Sequence, residues 1–259
     1  MDIKQFYKTE GEKPLDRLVD DGGFAGIFRT IACIGDSLAS GEFESQDPDG
    51  TKGYHDYYEF SWGQHMARRL GSKVYNFSTG GMSAAEYIDT FGDESRLWRP
   101  ELAAQAYIIA LGVNDIGSDV ELGTTADIDL ENYNNNKRTF SGDYARIIQR
   151  YKEISPNARF FCMTIPRTAY EKRNEKIAAH AEAVRNLVPL FKYTYVLDFE
   201  RYAPVYDAEF RENFFLRGHM NPAGYLLTAK MVMSYIDYIV RNNPDDFRDV
   251  GFIGTRYHS

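Results

Sequence analysis

The stretch RTIACIGDSLASGEFES, residues 29–45, decides how this chain is read. Its first part, Arg29 to Gly35, is short, apolar and β-branched, the composition of a buried strand closed by a glycine. Gly35-Asp36-Ser37-Leu38 then falls where such a strand would leave the core. Ser37 is either a turn residue that stops the strand or a nucleophile held at its end. Turn serines are much the commoner kind, so the rest of the chain must choose.

Working outward, the same strand pattern recurs in KVYNFS (73–78), AQAYIIALG (104–112), ARFFCMTI (158–165) and TYVLDF (194–199). Helical spacing lies between these segments. SWGQHMARRLG (61–71) places Trp62, Met66 and Leu70 on one face and stops at Gly71. SAAEYIDTF (83–91) opens on Ser83 as a cap. SGDYARIIQRYKEIS (141–155) carries a stripe of Tyr144, Ile147, Ile148 and Tyr151, and EKIAAHAEAVRNLVPLF (175–191) is a further helix. In NPAGYLLTAKMVMSYIDYIVRNN (221–243), Asn221 is the expected cap and Pro222 the first helical residue, where its missing N–H costs nothing. The polar run from Asn114 to about Thr139, with Asn134 to Asn136 in it, reads as a long loop, and loops of that length are usually functional or mobile.

Strands alternating with helices predict an α/β fold, a parallel sheet with helices on both faces. No repeat or linker interrupts it. The expectation is one domain over 1–259, with a surface extension to about residue 23 and a tail over about 244–259 that wraps back.

The chain has 259 residues and a formal charge of −8, which argues against a nucleic-acid partner because phosphates need clustered Lys and Arg. Cys33 and Cys162 both sit in apolar runs, so the sequence implies neither a disulfide framework nor a cysteine metal site. The N-terminal segment is polar and lacks the apolar core of a signal peptide, and no apolar run approaches the ~18 residues of a membrane span. The expected setting is the cytoplasm, with no membrane partner.

Right-handed crossovers put the C-terminal ends of all parallel strands on one edge, where such sheets bind ligands. Four polar segments collect there: GDSL after the first strand, NFSTGGMS (76–83) after the second, GVND (112–115) after the third, and RGHMNPAGY (217–225) before the last helix. With strand order 2-1-3-4-5, Ser37 lies between the Gly80-Gly81 loop and Asn114. Attack on an ester needs a nucleophile, a base and donors for the oxyanion. Ser37 supplies the hydroxyl and a backbone N–H, a glycine of the pair supplies a bare N–H, and Asn114 supplies a side-chain N–H. His219 can serve as base near neutral pH. Asp36 reads as structural, bonding loop amides.

At these residues the sequence resembles the GDSL esterases and lipases, the SGNH hydrolases, whose four blocks carry Ser, Gly, Asn and His in that order. GDSL matches the first block letter for letter. NFSTGG fits the second and selects Gly81 over Gly80. GVND fits the third and selects Asn114, and GHMNPAGY resembles the last. The resemblance runs from about Ile31 to Leu227. It implies a three-layer flavodoxin-like sandwich with a five-stranded sheet, and a serine esterase that needs no metal or organic cofactor. His219 would take the proton of Ser37, and the oxyanion would sit among Ser37, Gly81 and Asn114.

One position departs from the pattern. The family's last block usually carries an Asp three residues before the His, and here that residue is Leu216. The acid normally fixes the imidazole tautomer. A backbone carbonyl near Leu216 can replace it, giving a Ser-His dyad, which is the preferred reading. A carboxylate such as Asp207 or Glu212 can fold in instead, or the site is weak. The expected substrate is a small acyl ester, with acetyl esters of small carbohydrates as a narrower reading. His55, in the tyrosine-rich GYHDYYEF (53–60), is a candidate substrate contact, and that segment a candidate sugar-stacking wall. His65, His180 and His258 are not read as catalytic. The alternative function is a catalytically weak binding protein of the same fold for a carbohydrate or small ligand. A nucleotide binder is disfavoured, because Thr79-Gly80-Gly81 lacks the lysine of a P-loop.

Overall fold

The computed structural model describes residues 3–257; His258 lies outside them. The described strands are β1 (Thr30–Gly35), β2 (Glu42–Gln46), β3 (Lys52–Asp56), β4 (Lys73–Ser78), β5 (Ala106–Ala110), β6 (Arg159–Met163), β7 (Thr194–Leu197), β8 (Phe215–Leu216) and β9 (His219–Met220). Five of them form one parallel sheet in the order β4-β1-β5-β6-β7. These are the five strands read from the sequence, in the expected order 2-1-3-4-5.

The alternation of side chains along each strand divides the core in two. Ile31, Cys33, Ile108, Phe161 and Leu197 face the side covered by the Trp62–Leu70 and Pro222–Asn242 helices. Ala32, Ile34, Tyr107, Ile109, Phe160 and Cys162 face the side covered by the Phe140–Ile154 and Glu171–Leu187 helices. Central β1 is buried on both faces except at Thr30, as a parallel strand between two helical layers must be. Each fully buried Ile, Val or Leu contributes roughly 1.5–3 kcal/mol, so this sandwich holds the strand ends rigidly.

The helix caps explain where the covering layers begin. Ser61 Oγ accepts from the Gln64 N–H (3.2 Å), and Asn221 Oδ1 accepts from the Gly224 N–H (2.9 Å) with Pro222 at the first position. Ser83 and Glu86 make a reciprocal capping box, and the chain continues through a π-helical turn at Tyr87–Phe91. The helix expected from Ser141 starts at Phe140, because Thr139 caps it.

Two expectations change. The run after Asn114 is not an open loop. It holds a short helix, Val113–Gly117, and two 3₁₀ turns, Thr125–Asp127 and Tyr133–Asn135. Asn136 is buried and donates to Gln149 Oε1 (2.8 Å) and the Gly142 carbonyl (3.0 Å), so the asparagine run is a packed corner. The second change is a hairpin, β2 and β3, directly after the GDSL turn, paired from Glu42↔Asp56 to Gln46↔Lys52. Its turn is Asp47-Pro48-Asp49-Gly50, closed by Asp47 N–H to Thr51 O (2.8 Å), with Gly50 at φ +91°.

The described segments near both termini pack on the sandwich. Glu12 pairs with Arg241 of the last helix (2.7 Å), and Phe247 and Val250 of the tail are buried in the core.

Candidate active site

Ser37 opens the one-turn helix Ser37–Ser40 at the end of β1. Asp36 caps it, accepting the Leu38 N–H at 3.0 Å, the amide-bonding role expected of it. Its other oxygen is buried without a partner, and burial pushes the carboxyl up to about 7. At the end of β5, Gly112 sits at φ +131° with the buried His180 ring against its Cα, leaving no room for a side chain. Next to it, Asn114 Nδ2 donates to the Met82 carbonyl (3.0 Å), which ties the third block to the second. Asp115 likewise accepts the Ala84 N–H (3.1 Å). Gly81 has φ +75°, and a Cβ there would meet nothing. Left-handed backbone, rather than the close approach expected from the sequence, is what requires glycine at 81.

His219 arrives on the small β8–β9 hairpin, paired with Leu216 across a turn whose Arg217 has φ +61°. His219 Nε2 lies 3.0 Å from Ser37 Oγ, the distance of a nucleophile–base hydrogen bond. Ser37, Gly81, Asn114 and His219 line one mouth at the sheet edge, as the order of the four blocks implies.

The β2–β3 hairpin supplies what the sequence reading lacked. Glu44 is buried, its side chain 2% exposed, and its Oε2 lies 3.6 Å from His219 Nδ1. That same oxygen accepts the Gly218 N–H at 2.9 Å, and Oε1 meets Lys52 Nζ at 2.8 Å. Arg217 Nη1 adds a bond to the Glu44 carbonyl (3.3 Å). The Lys52 ammonium holds the Glu44 carboxyl below the usual range, helped by the Gly218 amide and the His219 ring. The dyad reading placed a backbone carbonyl on Nδ1; among the described residues Nδ1 has no hydrogen-bond partner, and a carboxylate stands 3.6 Å from it. It is neither of the acids proposed. Asp207 caps the Ala208–Phe214 helix by accepting the Phe210 N–H (2.9 Å), and Glu212 is exposed on that helix.

A second hairpin carboxylate faces the other ring nitrogen. Glu42 Oε1 is 3.0 Å from His219 Nε2, and its other oxygen packs against Gly80. Burial pushes the Glu42 carboxyl above its ordinary value, opposed by the imidazole and reinforced by Asp56 and Glu44. Asp56 accepts the Ser40 hydroxyl (2.6 Å), and the exposed Tyr54 ring meets His219 edge-on at 5.7 Å. His55 is not brought to this mouth. It lies between Tyr54 and Asp56 on the opposite hairpin face, where Nε2 bonds Ser45 Oγ (2.8 Å).

On the far side of Ser37 a second opening is lined by Ile165, Pro166, Tyr170, Arg173, Arg211 and Phe215.

A model of the GDSL-like lipase/acylhydrolase family matches residues 33–227. The chain belongs to that family. Solved structures similar to this family member share its fold. A family two carbohydrate esterase with a carbohydrate binding domain from Corynascus thermopiles (Myceliophthora fergusii) is 17% identical, covering 88% of this chain and 69% of that one, with a TM-score of 0.56. A family two carbohydrate esterase from Clostridium thermocellum, in complex with cellohexaose, is 17% identical over 92% of this chain and 67% of that one, TM-score 0.55. A protein from Lactobacillus plantarum is 15% identical over 81% and 97%, TM-score 0.58. A search of curated proteins returns no match. No helix among the described residues of this GDSL-like hydrolase is long and apolar enough to cross a membrane.

Glu42, Glu44 and Asp56 were missed from the sequence, and Tyr54 was singled out there only within the tyrosine-rich GYHDYYEF segment. A signal for them existed. Pro-Asp-Gly at 48–50 is a turn signature, and the flanking segments place these four residues at alternate positions, on one face of a hairpin.

Proposed function

We propose that this protein is a serine ester hydrolase acting on small acyl esters through Ser37, His219 and Glu44. The observation that carries the reading is the 3.0 Å contact between Ser37 Oγ and His219 Nε2 at the C-terminal edge of the sheet. Ser37 Oγ attacks the acyl carbon while His219 Nε2 takes its proton. The oxyanion gathers at the Ser37 and Gly81 backbone N–H groups and the Asn114 amide. Collapse breaks the bond to the alcohol, which leaves with the proton from His219. Water then repeats the sequence on the acyl-enzyme. Glu44 stands 3.6 Å from Nδ1 and acts on it through charge, and through the Gly218 N–H it holds the turn that carries the ring. A carboxylate 3.6 Å from Nδ1 supports the esterase reading over the inactive binding-protein reading that Leu216 motivated.

An ester of a hydroxylated alcohol, an acetylated carbohydrate among them, is the favoured substrate. Support comes from the polar mouth with the exposed Tyr54 ring, and from two similar structures being carbohydrate esterases. The test is p-nitrophenyl acetate hydrolysis with fluorophosphonate labelling of wild type and Ser37→Ala. Both should be present in wild type and absent together in the variant. A wild type that does neither, or a variant that still does both, overturns the reading.

A further inference from the structure

We infer that Glu42 is a specificity determinant of this site: its carboxylate receives a hydroxyl carried on the carbon next to the ester oxygen of the leaving alcohol. The inference rests on the proposed esterase reading and adds to it a residue and a substrate feature.

The argument begins at His219 Nε2. In the second half of acylation this nitrogen gives its proton to the alcohol oxygen, which must come within about 2.6–3.2 Å of it. Glu42 Oε1 already lies 3.0 Å from that nitrogen. The leaving oxygen and the Glu42 carboxylate are therefore neighbours around one ring atom. For an alkyl alcohol this arrangement is unfavourable: a partly buried carboxylate would face the alcohol's C–H groups and lose solvation without a new partner. For an alcohol with a vicinal hydroxyl it is favourable, because that O–H reaches the carboxylate while the ester oxygen reaches Nε2.

The surroundings agree. The Glu42 side chain is 13% exposed and packs over Gly80, so it is held at the mouth rather than swinging in solvent. Asp56, its cross-strand partner, lines the same mouth. No lysine or arginine among the described residues lines it, so no cation neutralises the pair. Tyr54, half-exposed beside His219, offers a ring face to the C–H side of a polyol.

Proton bookkeeping in the ester reaction is unchanged. The bond from Ser37 Oγ to the acyl carbon forms, the bond from that carbon to the alcohol oxygen breaks, and the Ser37 proton ends on the alcohol by way of His219. Glu42 only accepts a hydrogen bond, so it neither gains nor loses a proton over the cycle.

The test uses a matched pair, 2-hydroxyethyl acetate and 2-methoxyethyl acetate, which differ in whether the vicinal oxygen can donate. A hydrogen bond to a charged acceptor predicts a wild-type preference in kcat/KM of about tenfold or more for the hydroxy ester, after correction for alkaline reactivity. Glu42→Ala should bring the ratio close to one. Glu42→Gln, which keeps an acceptor oxygen without the charge, should fall between. Fluorophosphonate labelling of Ser37 and thermal melting of each variant separate this outcome from misfolding. A wild type without the preference overturns the inference. So does a variant that loses both substrates in parallel, or one that keeps the full ratio. A wild type that neither labels nor hydrolyses either ester overturns the inference and the esterase reading together, whereas labelling with no hydroxy preference overturns only the inference.

Discussion

Two regions meet at His219, and they are built differently. The sheet edge contributes Ser37, Gly81 and Asn114 through strand ends whose backbone is fixed: a capped one-turn helix, a glycine at φ +75° and a turn pinned by the buried His180 ring. The β2–β3 hairpin contributes side chains alone. Glu42 and Glu44, two residues apart on β2, and their partners Asp56 and Tyr54 on β3 share one face. The edge presents Ser37, Gly81 and Asn114 at one mouth. The hairpin places a carboxylate beside each ring nitrogen of His219.

Glu44 also differs in electrostatics from the edge aspartates, whereas Glu42 shares their upward shift. At the edge, Asp36 and Asp115 are buried with one oxygen each unpartnered, and burial raises them to about 7 and about 6. In the hairpin, Glu44 is paired with Lys52 and lies below the usual carboxylate range.

The largest expected effect tests whether the regions act as one site. His219→Ala should lower kcat/KM by roughly 10⁴-fold, with the melting temperature little changed, because the base acts as a unit with the nucleophile. Retention of more than a tenth of the activity would mean that another group takes the Ser37 proton. Asn114→Ala tests the edge alone. Loss of one oxyanion donor should cost about 10²–10³ in kcat and leave KM nearly as it was. A change in KM alone would assign Asn114 to substrate binding.

Glu44→Gln tests the hairpin. Glu44 stands 3.6 Å from Nδ1, beyond a direct hydrogen bond, so its loss should cost less, on the order of 10–10² in kcat. It should also alter stability in acid. A carboxyl lowered by folding adds stability above its ordinary value and gives it up as pH falls through the lowered one. Wild type should therefore exceed Glu44→Gln in melting temperature by a constant gap above about pH 5, closing below it. A gap that widens in acid would reverse the assigned sign.

The edge carboxylate predicts the opposite trend. Asp36 holds its proton more tightly folded than unfolded, so the protein loses stability as pH rises from the ordinary aspartate range through about 7. Asp36→Asn keeps the acceptor for the Leu38 N–H and removes the buried charge. It should be stabilised by roughly 2 kcal/mol at pH 8 and hardly at all at pH 4. Melting curves at the two pH values decide this, and a variant less stable at pH 8 would show the charge to be compensated.

This contrast explains what could be read from the letters. Glycines at forced backbone angles, caps such as Ser61, Ser83 and Asn221, and apolar runs such as Ile31 to Ile34 are local demands, and they appear in the sequence as such. The sheet order and the meeting of Ser37, Gly81 and Asn114 at one edge were legible for that reason. The hairpin was not. β3 is exposed along most of its length and β2 buries a glutamate rather than an apolar residue, so burial leaves no apolar period in them. Its job depends on a long-range meeting of Glu44 with Gly218, which no local pattern encodes. His55 lies one position off the mouth in a period of two: its neighbours Tyr54 and Asp56 line it. The carboxylate left unread at Leu216 has the same root. A search for the missing acid near His219 in sequence could not find one supplied from β2.

The smallest effect bears on how much of the hairpin's role rests on its charge pair. Lys52 is more than half exposed, while its partner Glu44 is buried. An exposed cation is well solvated without its partner, so such pairs are worth about 0–1 kcal/mol. Glu44 would keep the Gly218 N–H after the lysine is lost, and that bond does not depend on Lys52. Lys52→Met should therefore lower stability by less than about 1 kcal/mol and kcat by no more than a few-fold. Its sharper effect should be on pH. With the chief lowering influence removed, the Glu44 carboxyl returns toward its ordinary value, so the loss of stability in acid is smaller than in wild type and is complete at a higher pH. If Lys52→Met instead matches Glu44→Gln in activity, the lysine rather than the Gly218 bond positions the carboxylate, and the hairpin acts on His219 mainly through charge.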